Sequence, residues 1–277
     1  MYEVIVISKK KSIGTCALCK APNVQLRASH LIPKLAYNRT KSTKKSRFRA
    51  INDIKHPLQD GEKKYLLCDR CEEFFSGFES QFTNLFLDDF LKTQKISKKN
   101  TKEQWFVNYM LSVAWRIVYD DLYNAESFVG NTCRTIFEEC ERNVKNYLNS
   151  LMNNKNCISP HCRHYVYKID ETIDDVKVIK LLEPTLFGYC YFDGEYQIPM
   201  VITYYLGIVF VTVFENEEVL YIDSLKKTLY RKYGLSKIVH NIVSKEIKTE
   251  ALHMATMYEN NMTTELYNKI KAYYDNN

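Results

Sequence analysis

The sequence predicts an α+β protein: a cysteine-pinned module of strands and one helix comes first, a helical middle follows, and a β-rich region precedes C-terminal helices. Three observations carry this reading. Two CxxC pairs, separated by residues 20–67, lie near the N-terminus. Apolar residues recur at helical spacing between Glu72 and Leu151, and β-branched and aromatic runs concentrate between His164 and Asp223. The expected divisions are residues 1–95 for the module, 96–155 for a helical segment packing on it, and 156–277 for a sheet-plus-helices domain of unknown role. A chain of 277 residues is long enough to bury a core in each part.

The opening MYEVIVIS alternates well enough for a short strand, and Lys9–Lys11 end it. QLRASHLI at 25–32 is again strand-like and Pro33 closes it. Residues 34–56 read as a long basic loop, with only Asp53 opposing eight Lys and Arg side chains. QDG at 59–61 signals a turn, and KYLLC returns a strand to the second CxxC. A helix is expected from about Asp69. In it Phe74, Phe75, Phe78, Phe82, Leu85 and Phe86 share one face, Glu72 and Glu79 sit together at its edge, and Glu73 points to solvent.

Residues 95–102 form a basic linker, after which Trp105–Tyr123 and Thr132–Leu151 have the length and spacing of amphipathic helices. HYVYKI, VKVIKLL, LFGYCYF and IPMVITYYLGIVFVTVF are read as strands, and the tail from Ser224 as two or three helices. The longest apolar-rich run, Val201–Phe214, is shorter than the roughly 20 residues a membrane-spanning helix needs. No basic start followed by an apolar stretch marks a leader, so a cytoplasmic protein with reduced thiols and no membrane partner is expected.

Charge is distributed unevenly. Residues 1–100 hold 20 Lys and Arg against 10 Asp and Glu, while the remainder holds 19 against 23. Positive charge gathered on one segment is the footprint of a polyanion. Lys44, Lys45, Arg47 and Arg49, with Phe48 among them, suit phosphate contact with one stacking ring; a solvated loop is the alternative.

Thiolates at i and i+3 on a tight turn reach one metal, and two such turns complete a tetrahedral zinc site. Cys16, Cys19, Cys68 and Cys71 have that pattern. Unligated core cysteines are the alternative, and a redox CxxC lacks the βαβ setting it needs. The Cys157, His161, Cys162 and His164 group reads as coincidence rather than a second metal site, and no phosphate loop, dinucleotide fingerprint or nucleophile elbow occurs.

Between the cysteine pairs, LRASHLIP places His30 at the end of a strand, and LLCDRCEEFFSGFE opens a helix at the second pair. With LSVAWR at 111–116, these segments resemble the HNH, or His-Me finger (ββα-metal, treble-clef-like), endonucleases built around a four-cysteine zinc. They are also similar to uncharacterised bacterial proteins labelled HNH-like, over about residues 12–120. The resemblance implies hydrolysis of a phosphodiester with structural Zn2+ and a catalytic Mg2+ or Mn2+. His30 then stands at the general base. Ser29 takes the place of the usual Asp or His metal ligand, Glu72 that of the helix ligand, and Lys63 that of the family's middle Asn. Glu79 and Asp60 are further oxygen donors nearby. The expectation is an endonuclease acting on DNA, with RNA as the other polyanion and anti-phage defence as the setting. A partner protein or a homodimer would use the C-terminal half. The alternative is a non-catalytic zinc module that binds nucleic acid and works with a partner protein.

Overall fold

The computed structural model describes residues 12–41, 48–50, 53–58, 61–123, 131–215 and 234–275. The N-terminal part contains β1 (Ile13–Gly14), β2 (Val24–His30), α1 (Lys34–Thr40), β3 (Phe48–Ala50), β4 (Asp53–Leu58), β5 (Lys63–Cys68) and α2 (Asp69–Phe82). β1, β2 and β5 form an antiparallel sheet in that order, while β3 and β4 pair separately. A bulge in β5 at Leu66, opposite Arg27/Ala28, shifts the register of β2 on β5, so Ala28 faces Tyr65, Ser29 faces Lys64 and His30 faces Lys63.

α2 begins where the second CxxC begins, with Asp69 and Glu72 in its first turn, where the helix dipole favours negative charge. Its buried face carries Phe75, Phe78 and Phe82. The next turn, Thr83–Leu87, is a π turn leading into α3 (Asp88–Thr93). This underwinding explains one departure from the expected face: Phe86 and Leu87 are buried, whereas Leu85 is rotated out and 49% exposed.

α4 (Gln104–Tyr123) and α5 (Asn131–Met152) form the middle. α4 is buried on nearly every side because it packs against α2, α5 and the C-terminal sheet. Phe82 of α2 stacks on Tyr109 of α4 with ring centroids 3.9 Å apart.

The C-terminal part contains β6 (Cys162–Lys168), α6 (Ile169–Thr172), α7 (Val176–Leu182), β7 (Phe187–Asp193), β8 (Ile198–Tyr205), β9 (Ile208–Phe214), α8 (Leu235–Asn261) and α9 (Thr264–Asp275). Its sheet is antiparallel with order β6-β9-β8-β7. One face packs on α4, where Gly188 admits Ile117 so closely that an added Cβ would lie 2.6 Å from Ile117 Cδ1. The other face is covered by a second apolar cluster drawn from α6, α7 and α8. The first cluster draws side chains from residues 16–37, from α2 to α5 and from the sheet, so the N-terminal, middle and C-terminal segments share a core.

Two expectations are corrected. The described residues of 34–56 are not simply a basic loop: Ala36 and Tyr37 are buried on α1, and β3 and β4 pair antiparallel. VKVIKLL is helix α7, not a strand. Asp175 caps it by accepting hydrogen bonds from the Lys177 and Val178 amides, which overrides the β-branched composition. MYEVIVIS lies outside the described residues.

Candidate metal centre and the adjoining polar site

The first CxxC forms a tight turn. The Lys20 amide donates to Cys16 O and the Cys16 amide to Ala21 O, both at 3.0 Å, with Lys20 in the left-handed region. The Ala17 amide donates to Leu66 O at 3.0 Å and docks this turn on β5, whose end carries Cys68. The Cys68 amide in turn donates to Cys16 Sγ at 3.4 Å.

All four Sγ atoms lie within 4.8 Å of one another, and the four cysteines are free thiols. The Cys19 and Cys68 sulfurs are 3.8 Å apart. A tetrahedral zinc with bonds of about 2.3 Å to sulfur has an edge of about 3.8 Å, whereas a disulfide needs about 2.05 Å. The donor set therefore fits a metal such as zinc. Hydrogen bonding from the Cys71 thiol, reinforced by the Cys68 amide, holds Cys16 well below the usual thiol range despite burial. The same contact pushes Cys71 up. Thiolate is the form that binds a metal, so an ion on these four sulfurs would displace the remaining protons.

The pairing of β2 with β5 and the start of α2 at Asp69 bring Ser29 against the helix. Ser29 Oγ donates to Glu72 Oε2 at 2.6 Å, with Ser29 fully buried. Alternation along β2 turns the neighbouring His30 to the other side of the ribbon. There its ring lies 5.6 Å from that of Tyr37, and the residue is 8% exposed. Lys63 sits directly opposite His30, and Tyr65, two residues further along β5, is 58% exposed. The end of β2 is thus flanked by an imidazole on one side and a Ser–Glu pair on the other.

Glu79 is engaged elsewhere. Arg116 of α4 donates from Nη2 to Glu79 Oε1 at 2.9 Å and from Nη1 to the His30 carbonyl at 2.9 Å. Among the described residues no second group of three or more His, Cys, Asp or Glu side chains converges as the four cysteines do. A second cation at Glu72 has one carboxylate and the Ser29 hydroxyl as nearby donors.

Arg49 lies on β3, where Phe48 packs edge-on against Tyr37 at 5.1 Å. Lys44, Lys45, Arg47 and Asp60 lie outside the described residues. Of the Cys157 to His164 group, His164 instead shares a 3.1 Å hydrogen bond between Nδ1 and Thr212 Oγ1. The residues that sequence reasoning overlooked are Arg116 and Tyr37. The signal for Arg116 was a lone cation inside the apolar run LSVAWR; Tyr37 had none. No helix of the described residues is long and apolar enough to cross a membrane. No protein-family model, curated protein or solved structure matches the chain.

Proposed function

We propose that the protein is a nuclease that hydrolyses phosphodiester bonds in DNA, with Zn2+ on the four cysteines as scaffold and Mg2+ or Mn2+ as the catalytic ion. The observation that carries this reading is the 2.6 Å Ser29–Glu72 hydrogen bond, which joins the end of β2 to the first turn of α2 beside His30. A phosphodiester bound at that strand end would draw on the His30 imidazole, which leaves β2 on one side, and on the Ser29–Glu72 pair, which leaves it on the other. His30 accepts the proton of the attacking water. Glu72 and Ser29 would hold the divalent ion, which supplies positive charge to the phosphate and the leaving oxygen. Lys63, opposite His30, places a cation beside the same strand end, and the excess of Lys and Arg in residues 1–100 favours a polyanionic substrate.

One observation favours the non-catalytic reading, in which the module binds DNA for a partner protein: Arg116 occupies Glu79 and leaves Glu72 as the nearby hard ligand. Incubation of wild type and His30→Ala with plasmid DNA, single-stranded DNA and RNA, each with Mg2+ or Mn2+, separates the two. Cleavage by wild type and its loss in the variant support the nuclease. Equal, salt-sensitive DNA binding by both proteins without cleavage supports the binding module.

A further inference from the structure

The guanidinium of Arg116 is 2% exposed, and each of its nitrogens is used. Nε donates to Ser112 O at 3.3 Å within α4, Nη1 to His30 O and Nη2 to Glu79 Oε1, while the Phe75 ring lies 5.3 Å from Cζ. Burying a cation carries a large desolvation cost, and an apolar side chain of similar volume would fill the space without it. Holding α4 against α2 does not require a bond to the His30 carbonyl. That bond fixes the backbone where β2 ends and Pro33 begins to redirect the chain, while Tyr37 stands against the imidazole.

We infer that Arg116, braced by Glu79, is a positioning residue that sets the orientation of the His30 imidazole at the strand end. The inference rests on the nuclease reading for its catalytic consequence and on the His30 ring itself for its geometric one. A near-attack arrangement tolerates little displacement, and a misplacement of about 1 Å costs on the order of 100-fold in rate. Glu79 thereby acquires a role as the brace of Arg116 rather than as a metal ligand.

The test uses the full-length zinc-loaded protein and two variants. Arg116→Met alone strands the Glu79 carboxylate, so Arg116→Met/Glu79→Leu, which replaces the pair with apolar groups, guards against simple unfolding. The double variant is expected to keep its zinc content and cooperative unfolding, and to lose about 100-fold in kcat with KM within about threefold. The His30 imidazole resonance, assigned by its absence in His30→Gln, is expected to move in the full-length double variant. A double variant with wild-type kcat and an unmoved His30 resonance overturns the inference. If wild type itself cleaves no nucleic acid, the nuclease reading fails separately, and the His30 resonance alone decides: movement upholds positioning and an unchanged signal overturns it.

Discussion

Ser29 Oγ donates a 2.6 Å hydrogen bond to Glu72 Oε2, and this pair is the place where the end of a strand meets the start of a helix. Ser29→Asp sets two carboxylates against each other. Without a cation their repulsion lowers stability, and one pKa of the pair rises. A divalent ion that binds between them stabilises the folded state by mass action. The thermal midpoint of Ser29→Asp is expected to fall below wild type in chelator and to recover with millimolar Mn2+, with little response in wild type. A variant indifferent to Mn2+ shows that the pair is not a seat for a cation.

The four-cysteine site predicts one zinc per chain. Metal binding and folding are coupled in such modules, with apparent free energies on the order of 10 kcal/mol. Because Cys16 and Cys71 are fully buried and Ala17 and Leu18 belong to the first core cluster, loss of the metal reaches beyond the knuckle. Cys16→Ser is expected to abolish bound zinc and to expose tryptic sites in the N-terminal part. Stoichiometric metal in that variant, measured by atomic emission, contradicts the assignment.

What could be seen in the sequence was local. The first CxxC fixes a turn through bonds to its near neighbours, the phenylalanine spacing marks the buried face of α2, and α4 and α5 follow from their periodicity. What could not be seen depends on packing between distant segments. The π turn at Thr83–Leu87 turns Leu85 outward against the pattern that placed it inside. Val176–Leu182 looks like a strand until Asp175 caps it. The bond from Arg116 to the His30 carbonyl links residues 86 apart in sequence, and no spacing rule announces it.

Glu141 is a second buried charge with a defined partner. Its side chain is 2% exposed, accepts from Trp115 Nε1 at 3.0 Å and pairs with Lys145 Nζ at 2.8 Å. Lys145→Met removes the direct ion pair and leaves the buried carboxylate with the indole and the more distant Lys20 charge, a loss that costs about 3 kcal/mol. Lys168 and Asp170 make a comparable 2.9 Å bridge, but Asp170 is mostly exposed, and Lys168→Met costs under about 1 kcal/mol. Urea midpoints of the two variants are expected to separate in that order. Equal midpoints contradict the burial argument.

His164 predicts an acid-sensitive core. Its Nε2 is enclosed without a hydrogen-bond partner among the described residues, and burial pushes the imidazole down from 6.5 to about 4. The unfolded chain takes up a proton near 6.5 while the folded protein does not. Stability from this residue is therefore present above pH 6.5 and is lost as pH falls toward 4, by up to about 3 kcal/mol. His164→Leu removes the linkage, so its stability should vary less between pH 7 and pH 4.5 than that of wild type. Parallel pH profiles for the two proteins exclude His164 as the cause.

Gly61 and Tyr37 form a joint that reaches His30. Gly61 has φ of 88°, and a Cβ there would lie 2.0 Å from Tyr37 Cε1. Gly61→Ala therefore carries two costs: about 1 kcal/mol for the left-handed backbone, and displacement of the Tyr37 ring. Only the second depends on Tyr37, so a double-mutant cycle separates them. Gly61→Ala is expected to cost at least about 2 kcal/mol in wild type and about 1 kcal/mol in a Tyr37→Ala background. Because the Tyr37 ring stands 5.6 Å from the imidazole, Gly61→Ala should also shift the His30 ring resonance, and the shift should vanish in the Tyr37→Ala background. Equal costs in both backgrounds mean that the backbone alone penalises the substitution and that Tyr37 does not transmit it.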